Sequence, residues 1–329
     1  MTEPTLREKM YALAAGFWLP RCLQAVAELG VADALGTQPQ TAEQLARAVG
    51  AAPDALARVL RLLASHGIFE SRNGAWIHTP ESRLLRDDDP QSMRAWARFM
   101  GLPLVWQSWN YLEYALRTGH AAVTKLDADG LFAYLTKHPD ESRTFNAGMV
   151  SKAQRDIPAV LEAYDFSRFK RIADIGGGRG HLLLSILNNA SGATGILFDQ
   201  PHVIAEAPQS EARMQLLGGD FFHGSMPAAD AYLLMDILHD WHDTDAARIL
   251  ATIRRAAGPG ANILVIETVI PDIPGPHLAK ALDVNMLVMT GGRERTVEEH
   301  RALLAAAGFK LERVIPTRSP YSIVEATAK

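Results

Sequence analysis

The segment RIADIGGGRGH, residues 171–181, constrains the fold of this chain more than any other part of its sequence. Its apolar start, Ile172–Ile175, predicts a short buried strand, and a helix over 182–188 follows. Between them, glycines stand at alternate positions from Gly176 to Gly180. Glycine adopts positive φ at little steric cost and has no Cβ, so the backbone can turn tightly and a ligand can touch it. The helix directs its unpaired N–H groups and positive dipole end at this turn, which therefore predicts a ligand site.

The spacing of these glycines separates two kinds of nucleotide site. A dinucleotide-binding fingerprint, G-x-G-x-x-G, would need glycine at position 181, where His181 stands. The pattern from Asp174 to Gly180 is D-x-G-x-G-x-G instead, which resembles motif I of class I S-adenosylmethionine-dependent methyltransferases. Their ligand joins a nucleoside to an amino acid and has no pyrophosphate. Taken alone, the pattern also fits a glycine-rich turn without a ligand, because single glycine motifs are weak indicators.

The bulk composition disfavours several classes of protein. A length of 329 residues favours two domains, and a net charge of −4 gives no basic excess for nucleic acid or an anionic membrane. The single cysteine, Cys22, rules out an intrachain disulfide and fits a reducing compartment. The amino terminus lacks the basic and apolar regions of a signal peptide, and no run of about 18 apolar residues is present. We therefore expect a cytoplasmic protein with no membrane partner.

The first hundred residues predict several helices and one hairpin. Residues 41–50 and 54–65 carry apolar side chains at helical spacing, with Thr41 as a candidate N-cap and Gly50 as a helix end. Two short strands flank Asn73-Gly74, a dipeptide typical of tight hairpin turns. Helix, turn, helix and hairpin in this order predict a winged-helix outline.

A winged helix can bind DNA, yet the second of these helices is poorly suited to that role. Arg58 and Arg61 stand near Asp54, and much of the remaining helix surface is alanine and leucine. A recognition helix needs a basic and polar face for phosphates and base edges. We therefore predict a packing or dimerisation module and no nucleic-acid partner. The tryptophan-rich residues 96–114 predict a core, a subunit interface or a pocket wall.

Strands alternate with helices after residue 170, which predicts a parallel sheet covered by helices on both faces. The predicted fold class is α/β, a doubly wound, Rossmann-like methyltransferase sheet with an N-terminal, mostly helical, winged-helix-like dimerisation domain. The predicted domains are residues 1–95 for dimerisation, 96–160 for a helical connector that contributes to the substrate pocket, and 161–329 for the S-adenosylmethionine-binding catalytic domain.

Polar residues stand where four of the predicted strands end, and ligands of such sheets bind outside the carboxyl ends of the strands. Asp174 ends the first strand, and Asp199 ends the second, where a carboxylate can accept both ribose hydroxyls of an adenosine. After the third strand, Asp220 can accept a hydrogen bond from the adenine amino group and Phe221 can stack on the ring. His239 follows the fourth strand, where the reacting atom would lie. A single Asp at a strand end is often only a helix cap, but four groups in this order favour a nucleoside site.

Five motifs carry a family resemblance that covers nearly the whole chain. They are DIGGGRG at 174–180, FDQP at 198–201, GDFF at 219–222, LHDW at 238–241 and GGRERT at 291–296. The sequence resembles the plant caffeate- and flavonoid-type O-methyltransferases and their bacterial relatives in natural-product pathways, and the last two motifs are specific to that family. The resemblance implies a homodimer built through the N-terminal domain. It also implies S-adenosylmethionine as methyl donor, S-adenosylhomocysteine as product, and no metal.

The resemblance also implies site residues, position by position. It makes His239 the catalytic base and makes Glu267 and Glu294 the carboxylates that flank it. The implied cofactor-binding residues are Asp174, Gly176, Gly178, Asp199, Gln200, Asp220 and Phe221, and the implied substrate residues are Phe145, Met149, Asn285, Met286 and Met289. Plant members often place a lysine near the cofactor where this chain has Met235. From the residues alone other roles stay open, since His239 and Glu294 can serve as helix caps and the methionines can fill the core.

The predicted function is S-adenosylmethionine-dependent methylation of a hydroxyl group on a small aromatic or polyketide-like natural product. The donor methyl group is already electrophilic, so the enzyme must mainly align the reacting atoms and remove the hydroxyl proton. A histidine with an ordinary pKa near 6.5 suits a base at neutral pH. The alternatives are a cofactor-binding relative that performs N- or C-methylation or hydroxylation, and a winged-helix DNA-binding regulator. The sequence leaves the acceptor itself open.

Overall fold

The computed structural model describes residues 4–208 and 211–329. The chain divides into two compact units. The first comprises Met1–Trp106 and Leu135–Lys152, and the second comprises Gln107–Tyr134 and Ala153–Lys329. The domain limits at residues 95 and 160 stay a prediction.

Helices dominate the chain up to residue 163. They are α1 (Leu6–Ala14), α2 (Trp18–Leu29), α3 (Val31–Leu35), α4 (Ala42–Val49), α5 (Pro53–Ala64), α6 (Pro80–Arg83), α7 (Arg94–Met100), α8 (Pro103–Asn110), α9 (Leu112–Thr118), α10 (Leu131–Lys137) and α11 (Pro139–Ala163), with a 3-10 helix at Ala122–Lys125. Two strands, β1 (Glu70–Arg72) and β2 (Ala75–Ile77), pair antiparallel as the predicted hairpin.

Local sequence signals explain where these elements begin and end. Thr41 accepts a hydrogen bond from the backbone N–H of Gln44 at 3.3 Å, and the Gln44 side chain accepts one from the backbone N–H of Thr41 at 2.7 Å. This capping box starts α4, and Gly50, with φ of 70°, ends it. The hairpin turns at Asn73 and Gly74, whose φ values of 51° and 80° are the left-handed pair that this turn requires. The helix, helix and hairpin order of the prediction is confirmed.

The remaining elements alternate between strand and helix. They are β3 (Arg171–Ile175), α12 (His181–Asn189), β4 (Thr194–Asp199), α13 (Pro201–Ile204), β5 (Met214–Gly218), β6 (Ala231–Met235), α14 (Asp243–Ala256), β7 (Asn262–Glu267), β8 (Val269–Ile270), α15 (Leu278–Met289), β9 (Arg295–Thr296), α16 (Val297–Ala306), β10 (Phe309–Pro316) and β11 (Ser322–Ala328), with 3-10 helices at Phe166–Arg168 and Leu238–Asp240.

The central sheet has the strand order β10-β11-β7-β6-β3-β4-β5. Its strands β5, β4, β3, β6 and β7 are parallel, as predicted, whereas β11 runs antiparallel to both β7 and β10. The sheet is therefore mixed rather than fully parallel. The connection from Pro316 to Ser322 is a short hairpin loop, and parallel neighbours would need a crossover of a dozen residues or more.

Both faces of this sheet are buried, and alternate residues of each strand serve opposite faces. Along β7, Ile263 and Val265 belong to one apolar cluster and Leu264 and Ile266 belong to the other. Strands buried on both sides read as continuous apolar runs, which explains why the sequence predicts them well. Among the helices of the described residues, none is both long and apolar enough to cross a membrane.

A buried histidine on α16 gives the second unit a pH-dependent stability. His300 is inaccessible to solvent, and neither of its ring nitrogens has a hydrogen-bond partner among the described residues. Burial, reinforced by the charge of Arg295, lowers the pKa of His300 to about 4. Its pKa in the unfolded chain is about 6.5, so the unfolded state binds more protons between these values. Stability must therefore fall as the pH falls from 6.5 to 4, by up to about 3 kcal/mol from this group.

We expect His300→Leu to remove this loss, because leucine does not titrate and leaves no buried polar atom unpaired. Urea unfolding at pH 6.5 and at pH 4.5 should show a smaller drop in unfolding free energy for the variant than for the parent protein. His66→Leu, at an exposed histidine, is the matched control and should behave like the parent. Equal drops in His300→Leu and the parent would contradict this account.

Candidate functional site

The glycine turn after β3 is closed toward the protein and open on one side. Gly176, Gly178 and Gly180 all have positive φ, at 69°, 58° and 80°. A Cβ on Gly176 would lie 2.5 Å from the Cδ1 atom of Ile237, so side chains are excluded there. A Cβ on Gly178 would meet nothing within 4 Å. The turn therefore presents bare backbone to open space at Gly178, as a ligand-binding turn must.

Asp199, at the end of β4, closes the turn from the neighbouring strand. Its Oδ2 atom accepts a hydrogen bond from the backbone N–H of Gly178 at 2.8 Å, and its Oδ1 atom accepts one from that of Gln200 at 2.7 Å. Burial raises the pKa of Asp199, while these two backbone bonds oppose the shift. Asp174 is deeper, and burial followed by the charge of Asp199 raises its pKa to about 7. Asp174 and Asp199, two of the predicted cofactor residues, therefore lie close enough for the charge of Asp199 to raise the pKa of Asp174.

The end of β5 adds an exposed acid and an aromatic ring. Asp220 accepts a hydrogen bond from the backbone N–H of Phe222 at 2.7 Å, and its other oxygen lies 2.9 Å from the Nδ1 atom of His223. The ring of Phe221 packs edge-on against Trp241, with centroids 5.8 Å apart. Its Cε1 atom is 3.8 Å from where a Cβ of Gly176 would be, so Phe221 borders the glycine turn. The ends of β3, β4 and β5 therefore lie side by side, and Gln200, like Asp220, is exposed.

His239 lies in the 3-10 helix that follows β6, and only 6% of its surface is exposed. Its Nδ1 atom is 2.9 Å from the Oε1 atom of buried Glu294. Glu267, at the end of β7, contacts the backbone instead of the ring, since its Oε1 atom accepts from the N–H groups of His239 at 3.0 Å and Ile237 at 3.2 Å. The structure brings the three predicted catalytic residues together, with one carboxylate holding the ring and the other holding the turn.

The turn that carries His239 is fixed by residues that the sequence analysis did not assign. Arg295, 1% exposed, donates to the carbonyl oxygens of Leu238 at 2.9 Å and Trp241 at 3.0 Å. The backbone N–H of Arg293 donates to the carbonyl of His239 at 2.8 Å. A Cβ on Gly292 would lie 1.9 Å from that same carbonyl, so glycine is required there. These residues belong to the GGRERT motif at 291–296, but the sequence analysis assigned a role only to its glutamate, Glu294.

The charges around His239 change its acid–base chemistry. Burial alone would lower the pKa of its ring, but the hydrogen bond with Glu294 and the charges of Asp240, Asp236 and Glu267 outweigh burial and raise the pKa to about 10. Burial also raises the pKa of Glu267, to about 7. The imidazole of the ligand-free protein therefore carries a proton at neutral pH. This differs from the ordinary pKa near 6.5 expected from the sequence, because composition alone does not show how many carboxylates surround the ring.

Two further acids lie on the other side of the ring. The Nε2 atom of His239 is 3.6 Å from Oδ1 of Asp236 and 3.8 Å from Oδ1 of Asp240. The second oxygen of Asp236 accepts a hydrogen bond from the hydroxyl of Tyr321 at 2.5 Å. Sequence reasoning missed Asp236 and Tyr321, since Tyr321 is 85 residues away along the chain and stands in no motif.

The predicted substrate residues fall in both units. In the second unit, Asn285 accepts a hydrogen bond from the indole N–H of Trp109 at 3.3 Å, while Met286 and Met289 on the same helix are buried. In the first unit, Phe145 packs edge-on against Phe99 with centroids 5.2 Å apart, and Met149 is half-buried. Within residues 4–208 and 211–329, no group of three or more His, Cys, Asp or Glu side chains is arranged to hold a metal ion.

Family models match both parts of the chain. Residues 109–310 match an O-methyltransferase domain, and residues 11–88 match an O-methyltransferase dimerisation domain. The second match supports the predicted homodimer and leaves no support for a DNA-binding reading of the same segment.

Individual proteins are similar over nearly their whole length. The phenazine O-methyltransferase PhzM of Lysobacter antibioticus is 41% identical over 95% of this chain and 94% of its own. The 8-amino-8-demethylriboflavin N,N-dimethyltransferase of Streptomyces davaonensis is 35% identical over 98% of this chain and 96% of its own. The crystal structure of CalO1, a methyltransferase of calicheamicin biosynthesis in its S-adenosylhomocysteine-bound form, is 33% identical, covers all of both chains and has a TM-score of 0.90.

We expect Asp199→Ala to weaken S-adenosylhomocysteine binding by about 1.5–3 kcal/mol, roughly ten- to hundredfold in Kd, because a charged acceptor of hydrogen bonds is lost. Titration calorimetry would measure this change, with Asp54→Ala, an exposed aspartate of the first unit, as the control. Thermal unfolding without ligand should be run alongside, because Asp199 also accepts from Gly178. Unchanged affinity in a folded Asp199→Ala protein would remove Asp199 from the ligand site.

Proposed function

Since this chain belongs to the family of S-adenosylmethionine-dependent O-methyltransferases, we propose that His239 is the base that accepts the proton of the hydroxyl group to be methylated. The acceptor is a small aromatic or polyketide-like natural product. The observation that carries the proposal is the 2.9 Å contact between Nδ1 of His239 and Glu294. His239 lies in the 3-10 helix after β6, the strand that pairs with β3 and so lies beside the glycine turn. S-adenosylmethionine is the methyl donor, and the enzyme is a homodimer.

The strand ends fit this donor. The open side of Gly178 leaves room for a ligand against bare backbone, and Asp199 at its edge has the charge to accept ribose hydroxyls. S-adenosylmethionine, when bound, supplies a methyl group on a positively charged sulfur, and the neighbouring acids suit a cation. We assign to this site Asp174, Gly176, Gly178, Asp199, Gln200, Asp220 and Phe221.

The geometry of the histidine supports a base that works through Nε2. Glu294 engages Nδ1, so Nε2 is the nitrogen that can face an acceptor hydroxyl. Its raised pKa makes Nε2 a stronger proton acceptor for a phenol hydroxyl than an ordinary imidazole is. In this reading Glu294 stabilises the charged ring, and Glu267 keeps the turn in place through the backbone N–H groups of Ile237 and His239.

Several assignments belong to the same proposal. Asn285, Met286 and Met289 line the acceptor side of the unit that holds His239, and Phe145 and Met149 stay predicted acceptor contacts. Residues 1–95, 96–160 and 161–329 are proposed as the dimerisation, connector and catalytic domains. A chain with one cysteine suits a reducing compartment, so we place the protein in the cytoplasm.

A second candidate is transfer to nitrogen, because a relative 35% identical over 98% of this chain is named as an N,N-dimethyltransferase. Acceptors with a phenolic hydroxyl, an aromatic amine or both should be incubated with methyl-labelled S-adenosylmethionine, and the products identified by mass and fragmentation. We expect the label on oxygen. Label on nitrogen alone would replace the first candidate by the second.

We expect His239→Ala to retain cofactor affinity and to lose about 10²-fold or more in kcat with a weakly acidic phenol. The loss should shrink for para-nitrophenol, a more acidic acceptor that arrives with its proton already lost. His239→Gln keeps polar side-chain contacts without a basic nitrogen and should lose as much as alanine. A loss that is the same for both phenols would rule out the base role and leave alignment as the contribution of this residue.

The pH profile tests the raised pKa separately. Below the pKa values of both groups, the imidazole of His239 and the hydroxyl of the phenol each hold a proton. The form of the complex that reacts has lost one of these two protons. For the parent enzyme saturated with donor, kcat/KM with phenol should therefore keep rising with pH well above 6.5, close to tenfold per pH unit. A plateau that begins near pH 6.5 would indicate a histidine of ordinary basicity.

A further inference from the structure

Glu294 contacts the histidine through a side chain that has little else to hold it. Its Oε1 atom lies 2.9 Å from Nδ1 of His239, and the residue is only 1% exposed. Its Oε2 atom is buried and has no hydrogen-bond partner among residues 4–208 and 211–329. Because no hydrogen bond to Oε2 orients the carboxylate in this part of the chain, the position of the carboxylate depends on the backbone that carries it.

The backbone of Glu294 stands at the end of the loop that joins α15 to β9. The start of this loop is anchored to the helix, since the carbonyl of Met286 accepts a hydrogen bond from the backbone N–H of Gly291 at 2.8 Å. The pairing of β9 with β8 begins only at Arg295, one residue after Glu294. A buried backbone N–H needs an acceptor, and for Glu294 that acceptor comes from a side chain.

The acceptor is Asp283, a half-buried residue of α15. Its Oδ1 atom accepts from the backbone N–H of Glu294 at 3.0 Å, across 11 residues of sequence. Burial, followed by the charges of Glu294 and Glu299, raises the pKa of Asp283, while the bond to the Glu294 backbone and the charge of Arg293 oppose that shift. The surroundings therefore disfavour a carboxylate at this position, and the bond to the backbone of Glu294 offsets part of that cost.

We propose that Asp283 is a positioning residue for His239: it fixes the backbone of Glu294 and thereby keeps the carboxylate of Glu294 on Nδ1. The expected effect on turnover rests on the proposed function, because it assumes that His239 is the base. The carboxylates that act most strongly on the ring are those of Glu294, Asp240, Asp236 and Glu267. Since Asp283 is not one of these, its influence on His239 passes through Glu294.

Substitutions at Asp283 can separate its hydrogen bond from its charge. Asp283→Ala removes both, and Asp283→Leu removes both while filling the space of the side chain. Asp283→Asn removes only the charge, because its amide oxygen can still accept from the backbone N–H of Glu294. Asp165→Ala is the matched control, since exposed Asp165 also accepts from a backbone N–H at 3.0 Å, that of Ser167, in the same unit and ahead of β3.

The first measurement is the pKa of His239, which needs no acceptor molecule. In protein with carbon-13-labelled histidine, the ring signal of His239 can be assigned by its absence in His239→Gln and then followed against pH by NMR. We expect Asp283→Ala and Asp283→Leu to lower the pKa of His239 by about 1 or more, because a displaced Glu294 no longer stabilises the charged ring. Asp283→Asn and Asp165→Ala should leave it near the value of the parent.

The second measurement is turnover with a phenol acceptor. We expect kcat of Asp283→Ala and Asp283→Leu to fall about tenfold or more, the scale for a misplaced catalytic group. The dissociation constant for S-adenosylhomocysteine should stay close to that of the parent, which also shows that the variants are folded. Asp283→Asn should recover most of the lost turnover, because the backbone bond is kept.

An unchanged pKa of His239 in folded Asp283→Ala and Asp283→Leu would overturn the positioning role. Equal losses in Asp283→Asn and Asp283→Ala would also overturn it, because they would assign the effect to charge. Loss of S-adenosylhomocysteine binding in both Asp283→Ala and Asp283→Leu would instead make Asp283 a residue of the fold as a whole. A failure of the proposed function shows differently, as a loss in His239→Ala that does not depend on phenol acidity, and the NMR result for Asp283 would still stand.

Discussion

The buried guanidinium of Arg295 is the interaction on which the rest of this site depends. A buried charge costs free energy unless its hydrogen bonds are satisfied. The side chain of Arg295 is 1% exposed, and its guanidinium donates to the carbonyls of Leu238 and Trp241 and to the carboxylate of Asp243. These acceptors bracket His239 along the chain, so the turn cannot open without leaving the guanidinium unpaired. Glu294, the residue directly before β9, contacts the ring. Two consecutive residues, Glu294 and Arg295, therefore fix the orientation of the imidazole and the backbone of the turn that carries it.

Several acidic residues lie close together at the carboxyl edge of the sheet, although the net charge of the whole chain is only −4. Asp174 and Asp199 lie at one pair of strand ends, and Asp236 and Asp240 lie near the next. Acids that close together raise one another's pKa values unless a cation is near, and the imidazolium of His239 and the guanidinium of Arg155 are two cations that act on Asp236. In the proposed function, this acidic field would favour the cationic donor over its neutral product, S-adenosylhomocysteine. The acids near His239 thus stabilise its protonated form.

Much of the fold and part of the site could be predicted from the sequence. Strands such as β6 and β7 are buried on both faces and read as apolar runs, and Thr41, Gln44, Asn73 and Gly74 mark helix and hairpin limits through local chemistry. The glycine turn and the acids at the ends of β3 and β4 are close in sequence to the strands that position them. The antiparallel edge of β10 and β11 was not predicted, because strand direction depends on connection length rather than on apolar pattern.

The parts of the site that sequence reasoning missed are those made by long-range contacts. Arg295 clamps a turn 57 residues earlier, and Tyr321 orients an acid 85 residues earlier. Neither contact has a spacing that a motif could record. The pKa of His239 depends on four carboxylates from different segments, so a motif that names the histidine cannot give its basicity. The short motifs therefore indicate the reaction type, whereas the basicity of the histidine also depends on carboxylates such as Asp236, which stands three residues before it and outside those motifs.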